Sequence, residues 1–306
     1  MGDERKAVLI TGARGFIGRA VQKLLLREGY DVIGLDRAAA SETPGQFASE
    51  RDLMVDISDA ERLRKVFRTR AIGGIIHLAA ILPTAAQRDP VLATRVNVQG
   101  SLNVLEMSRE FRVRRVVFGS SLSVYGSCPE DRLVSELDRA APEDLYGAAK
   151  LYIERMGQAY RELHGTEFVS LRIGRVVGPG ARSATSAWRS EIFELLRASG
   201  SEIVLPYAGW ERVLLVHVED VARMLVCLLR SARPAHGVYN AGCEAVRVEE
   251  LTERVERLNP NVRVMLGGAE VVGNPRGVDS SRFASEFDFR MIPILEQIEI
   301  AAGGGR

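Results

Sequence analysis

Through the first 172 positions the apolar residues follow two alternating rhythms. Short β-branched runs are apolar on both faces, as strands covered by helices on two sides are: AVLIT (7–11), DVIGLD (31–36), DLMVD (52–56), GGIIHLA (73–79), RRVVFGS (114–120) and EFVSLRI (167–173). Between them Phe16, Ile17, Ala20, Val21, Leu24 and Leu25 recur at helical spacing. So do Val96, Leu102, Leu105 and Met107, and the segment from Tyr146 to Tyr160. Strand and helix in alternation predict right-handed crossovers and an α/β, doubly wound parallel sheet. After Gly178 the texture changes. A Gly/Ser-rich connection, GPGARSATS, precedes a helix-like AWRSEIFELLRASG, then VLLVHV and EDVARMLVCLLRS, with GVYNAG behind them. The last stretch holds one clear helical segment, VEELTERVERL, several turns and the tail AAGGGR. This pattern predicts a main sheet domain and a smaller, later domain.

The first strand ends in TGARGFIG, which spaces Gly12, Gly15 and Gly18 as Gly-x-x-Gly-x-x-Gly. A loop that turns tightly and brings backbone N–H groups against a pyrophosphate needs residues without Cβ, and the helix behind it offers its positive end to the anion. A glycine turn alone would mean little. Here it follows a strand, opens a helix, and is followed about twenty residues later by Asp36 at the end of the second strand, the dinucleotide context. The sheet is then Rossmann-type, over 1–172 plus 212–242, with a substrate-binding part over 173–211 plus 243–306. Asp36 accepts from ribose hydroxyls and repels a 2′-phosphate, which favours NAD over NADP. Arg14 and Arg37 stand close by and could pair with that phosphate.

Tyr146 and Lys150 lie four apart in PEDLYGAAKLYIE, on one face of a helix. A phenol titrates near 10, and a neighbouring cation brings its phenolate towards working range. Tyr-x-x-x-Lys by itself is common. Behind a glycine loop and a hydroxyl-rich strand end, SSLSVYG (120–126), it points to oxidation of a carbinol whose oxygen a serine holds.

TGARGFIG, Asp36, Asp56 in VDI, HLAA (77–80), Asn97 in NVQG, SSLSVYG and YGAAK occur in this order, and with them the chain resembles the extended short-chain dehydrogenases/reductases, the NAD-dependent epimerase/dehydratase family. The resemblance implies Tyr146 as base, Lys150 as its partner on the nicotinamide ribose, and Ser121 as the carbonyl-side donor. It places the dinucleotide against Gly12, Gly15, Phe16, Ile17, Gly18, Asp36, Arg37, Asp56, Ile57, Leu78, Ala79, Ala80 and Asn97. Ser123 faces the substrate in this reading, and Tyr125 is a packing residue. Members that dehydrate sugars carry an Asp-Glu pair where this chain has Leu122 and Ser123, so dehydration is not expected. Two departures concern the substrate. Arg175 stands where an asparagine is usual, and ERVLLVHVED has Val213 in the register of the diphosphate-binding arginine, with Arg212 one step away. Arg175, Arg182 and Arg212 are the substitute candidates.

The expected function is an NAD-dependent epimerase acting on a sugar or nucleotide sugar. An NAD-dependent dehydrogenase of a small free sugar acid or hydroxy amino acid is the alternative, and a non-catalytic dinucleotide sensor the second. Composition adds limits. The 306 residues carry a formal net charge of +1, so no global field draws in nucleic acid or an anionic membrane. No apolar stretch approaches the ~20 residues of a membrane span. The three cysteines form no pair motif, the four histidines have no metal-ligand spacing, and with MGDERKAVLITG running straight into the first strand no leader is expected. A cytoplasmic homodimer without metal is expected, pairing through the Tyr146 helix and the helix around 95–110.

Overall fold

The computed structural model describes residues 6–37, 52–128, 132–181 and 186–303. In chain order its strands are β1 (Ala7–Thr11), β2 (Val32–Asp36), β3 (Leu53–Met54), β4 (Ile72–His77), β5 (Arg115–Ser121), β6 (Glu167–Ile173), β7 (Arg175–Val177), β8 (Ser201–Tyr207), β9 (Arg212–His217), β10 (Val238–Asn240), β11 (Glu244–Arg247) and β12 (Val262–Ala269). A seven-stranded sheet runs in the order β10-β6-β5-β4-β1-β2-β3, all pairs parallel. The order reverses direction between β1 and β4, and a ligand crevice opens at such a switch point, outside the strand C-termini.

Two apolar layers sandwich this sheet. One joins Leu9, Leu35, Ile75, Val116 and Phe118 to Leu63, Leu105 and Ile153 on one flank. The other joins Val8, Ile10, Ile76, Val117 and Leu171 to Val21, Leu25, Val221 and Leu225 on the opposite flank. The helices start where the sequence caps them. Asp59 accepts from the Arg62 amide ahead of Ala60–Thr69, and Asp144 accepts from the Gly147 amide at 2.6 Å ahead of Leu145–His164. Gly165, at φ 68°, closes the latter.

The smaller part is built from β7, β9 and β11 in one sheet, β8 and β12 in another, and a core around Trp188, Ile192, Phe193, Ile203, Leu215 and Leu251. Here β9 lies with the small sheet, whereas the ranges read from sequence put 212–217 with the dinucleotide part. Its apolar run VLLVH is buried from both sides there, so the pattern alone does not say which sheet it joins. Conversely, Ser281–Phe287 returns to the main body, where Phe283 packs with Tyr239 of β10.

Candidate active site

Gly12 has φ +70°, and a Cβ on it would lie 2.8 Å from the Ala79 amide nitrogen. A Cβ on Gly18 would meet the Gly12 carbonyl oxygen at 2.1 Å. The loop between β1 and the helix Phe16–Arg27 is therefore closed tightly on itself and on the end of β4. Gly15 caps that helix without any side-chain bond, so its first amides are open to an anion. Asp36, at the end of β2, accepts from the Arg14 amide at 2.9 Å, which brings its carboxylate beside the loop. Arg37 is exposed. A dinucleotide fits this cradle: a backbone concavity without Cβ, a free helix N-terminus and a carboxylate at its far edge. A nicotinamide dinucleotide bound there would supply the acceptor for a hydride.

The loop behind β4 is fixed by a chain of hydrogen bonds whose direction can be followed atom by atom. The Leu78 and Ala79 amides, both at 3.2 Å, donate to Thr11 Oγ1. Thr11 Oγ1 donates to His77 Nδ1 at 2.6 Å, leaving Nε2–H to donate to Ser101 Oγ at 2.9 Å. Ser101 passes the last bond to the Asn97 carbonyl. Only a neutral imidazole satisfies this chain. Burial and the charge of Lys150 accordingly depress the His77 pKa to about 3. Asn97 sits in a π-helical stretch, Thr94–Gly100, and clamps Ile81, accepting from its amide at 2.7 Å and donating to its carbonyl at 2.9 Å. Its amide thus holds the loop that carries Leu78, Ala79 and Ala80. Asn103 does the same for Ile57, donating to its carbonyl, while Asp56 accepts from the Ser58 amide and hydroxyl.

The serine-rich end of β5 turns into one 3₁₀ turn, Leu122–Val124. Ser121 Oγ accepts from the Ser123 amide at 3.1 Å and donates to Ser123 Oγ at 3.1 Å. Leu122 points the other way. It is buried with Val124, Val134 and Leu214, so this position carries packing rather than an acid. Tyr125 is held below by the Ser135 carbonyl and Asn240. The helix Leu145–His164 lies directly on this turn, because Gly147 has no Cβ; one would stand 2.5 Å from the Ser123 carbonyl oxygen. Tyr146 precedes that contact and Lys150 follows it by one turn. Lys150 is buried, donates from Nζ to the Gly119 carbonyl at 2.6 Å, and lies 5.4 Å from the Tyr146 ring centre. Burial lowers the Lys150 ammonium to about 7 against the opposing pull of Glu154, and raises the Tyr146 phenol above its ordinary range. The structure thus gathers Ser121, Ser123, Tyr146 and Lys150 around the C-terminal end of β5.

The substrate-side arginines separate. Arg212 is exposed at the start of β9, opposite Arg247 of β11, and Val213 is buried. Arg182 lies outside the described residues. Arg175 donates to the Val272 carbonyl at 2.7 Å and lies over the Tyr207 ring. Sequence reasoning missed Arg189, which faces the same Tyr207, and Asn274, whose Oδ1 lies 3.5 Å from Ser123 Oγ. The available signal was an arginine among Trp188, Ile192 and Phe193 on a helix that buries all three. Among the described residues no helix is long and apolar enough to cross a membrane, and no three His, Cys, Asp or Glu side chains cluster as metal ligands.

A parallel sheet reversing at β1 and β4, a glycine loop at that point and a second, smaller lobe define a dinucleotide-dependent enzyme of the extended short-chain dehydrogenase/reductase type. The family model described as the NAD dependent epimerase/dehydratase family matches residues 8–242, and the chain belongs to that family. It is 28% identical over 264 residues to a UDP-glucuronate 4-epimerase of Thermodesulfobacterium geofontis, covering 82% of this chain and 80% of the relative. It is 30% identical over 313 residues to a dTDP-4-dehydro-6-deoxy-D-allose reductase of a Streptomyces species, covering 97% and 95%. A UDP-glucose 4-epimerase of Thermus thermophilus, solved with NAD, superimposes with a TM-score of 0.83 at 26% identity, covering 97% of this chain and 98% of that one. An L-threonine dehydrogenase of Phytophthora infestans shares the fold, with a TM-score of 0.86 at 20% identity and 98% of both chains covered.

Proposed function

We propose that the protein is an NAD-dependent epimerase that oxidises and re-reduces one secondary alcohol of a sugar, with a nucleotide sugar as substrate. The observation that carries this reading is the seating of Tyr146 and Lys150 on the turn that holds Ser121 and Ser123. Ser121 donates to the substrate oxygen, Tyr146 takes its proton, and the Lys150 ammonium favours the phenolate. Burial, and after it the Asp144 charge, raise the phenol, so the base works only when positive charge is brought close to it, from Lys150 and from the oxidised cofactor. The buried Leu122 leaves no acid for eliminating water, which supports hydride transfer without dehydration. Asp36 beside the glycine loop supports NAD rather than NADP. A homodimer is part of the proposal. Leu145 (46% exposed) and Tyr152 (47%) form, with Pro90 and Ala93, an apolar face across two neighbouring helical segments.

One observation favours a second reading, an NAD-dependent dehydrogenase of a small free substrate: Val213 is buried in the register of the usual diphosphate arginine while Arg212 points to solvent. The test is to incubate the NAD-loaded protein with UDP-glucuronate, UDP-glucose and dTDP-glucose, and separately with free sugar acids and threonine, following NADH absorbance and product configuration by NMR. An inverted product without NADH build-up supports the epimerase; net NADH on a free substrate supports the dehydrogenase. Tyr146→Phe is expected to lose turnover by at least ~100-fold, the range of general acid–base catalysis, while keeping NAD affinity. Turnover retained in that variant would defeat both readings.

A further inference from the structure

Arg175 and Arg189 converge on one residue, Tyr207, from two different elements. Arg175, on β7, has its guanidinium carbon 5.9 Å from the Tyr207 ring centre. Arg189, on the helix Trp188–Glu194, lies near enough to Tyr207 and Arg175 for both to act on its charge, and its guanidinium carbon is 5.8 Å from the Trp188 ring centre. Trp188 is itself buried and meets Tyr207 edge-on. Neither guanidinium has a carboxylate within ion-pair distance among the described residues. Arg175 Nη1 and Arg189 Nε are both buried away from solvent with no hydrogen-bond partner.

Two facing cations with unspent buried donors are costly in a protein interior, because the charges repel and each unmade bond forfeits the hydration it lost. An oxyanion between them removes both costs at once. Two guanidinium forks match the paired oxygens of a carboxylate or phosphate. The pair also borders the reaction centre. Arg175 fixes the Val272 carbonyl, and the same short stretch donates the Gly273 amide to Ser127 Oγ and sets Asn274 against Ser123.

We propose that Arg175 and Arg189, seated around Tyr207, are the anion-recognition site of the substrate pocket, in place of an arginine on β9. The ligand is an oxyanion: the diphosphate of a nucleotide sugar or the carboxylate of a small sugar acid. The assignment rests on the hydride-transfer reading of the neighbouring Ser121, Tyr146 and Lys150.

The experiment is calorimetric titration of the NAD-saturated protein with UDP and, separately, with D-gluconate. Wild type, Arg175→Gln, Arg189→Gln and Arg189→Lys are compared, with Arg257→Gln, an exposed cation of the same lobe, as charge control. NADH fluorescence titration of each variant reports an intact fold. Binding of UDP that falls at least tenfold in both Gln variants, with partial recovery in Arg189→Lys and no change in Arg257→Gln, identifies the diphosphate. The same pattern with gluconate identifies the carboxylate. Binding of neither probe, or equal binding by wild type and both Gln variants, overturns the assignment. The two readings fail separately. Full turnover in Tyr146→Phe would defeat the hydride-transfer reading and leave the titrations standing, while anion-blind variants would defeat the site and leave Tyr146→Phe inactive.

Discussion

Replacing Glu154 by alanine should cost about 4 kcal/mol of folding stability, and the figure follows from what the carboxylate touches. Glu154 and Arg172 are 2% and 5% exposed. Arg172 donates through Nε to Oε1 at 3.0 Å and through Nη2 to Oε2 at 2.7 Å, and Ser120 Oγ donates to Oε1 at 2.6 Å. The alanine variant leaves two guanidinium donors, Nε and Nη2, and one hydroxyl without partners, while Nη1 keeps Tyr125 at 2.7 Å. Breaking one side of a buried pair costs roughly 3–5 kcal/mol, because the remaining charge stays buried. That is a large share of the roughly 5–15 kcal/mol that holds a domain folded. Urea unfolding followed by far-UV circular dichroism measures it. The double variant Glu154→Leu with Arg172→Met removes both charges and leaves only the Ser120 and Tyr125 hydroxyls short of a partner, so it should lose only about 1–3 kcal/mol, far less than the sum of the single losses. A single-variant loss below about 1 kcal/mol, or strict additivity in the double variant, would refute the reasoning. The pair also reaches the chemistry. Ser120 precedes Ser121, and Glu154, one turn beyond Lys150, opposes the lowering of its pKa, so the alanine variant should titrate Lys150 still lower.

Other tests address the site and the surface. The folded-state pKa of Lys150 is about 7 against 10.5 for the free side chain, so between those values the unfolded chain binds more protons. Stability of the cofactor-free protein should therefore rise with pH across that window, by up to about 1.4 kcal/mol per pH unit from this group, and that part of the slope should vanish in Lys150→Met. An unchanged slope in the variant would show that Lys150 stays charged. Asp36→Ala should shift the ratio of NAD to NADP affinity towards NADP by at least ~10-fold, measured by NADH and NADPH fluorescence; a constant ratio would remove Asp36 from ribose recognition. Tyr152→Glu should convert a dimer to monomer in analytical ultracentrifugation with NAD affinity retained, and an unchanged sedimentation coefficient would place any interface elsewhere.

The main sheet was legible because its strands are buried on both faces. AVLIT and EFVSLRI coincide with β1 and β6, and RRVVFGS is one residue out of register with β5. DLMVD shortens to Leu53–Met54 because β3 is the sheet edge, bonded to β2 alone. The smaller lobe was less legible for a physical reason. In β8, SEIVLPY, only Ile203 and Leu205 are buried and Pro206 interrupts the run; β12, VRVMLGGA, is mostly exposed and carries two glycines. Neither resembles the continuous apolar run of a covered strand. The π-helical stretch at Thr94–Gly100 left no trace in spacing either, since Val96 and its neighbours read as ordinary helix.

The same asymmetry runs through the site. Glycines and the Tyr-x-x-x-Lys pair are legible because backbone approach and helix geometry constrain them within a few residues of one another. Arg189 reaches Tyr207, and Asn274 reaches Ser123, only after the chain has left the main sheet at Gly174 and come back through β8 and the loop behind β12. No local spacing encodes either meeting. The chemistry common to the family is thus written in short motifs, whereas the choice of substrate is written in side chains far apart in sequence. Arg189 illustrates the difference. On its own helix it is one cation among buried apolar neighbours, an energetic oddity; placed beside Arg175 it becomes half of a pair whose unspent donors call for an anion.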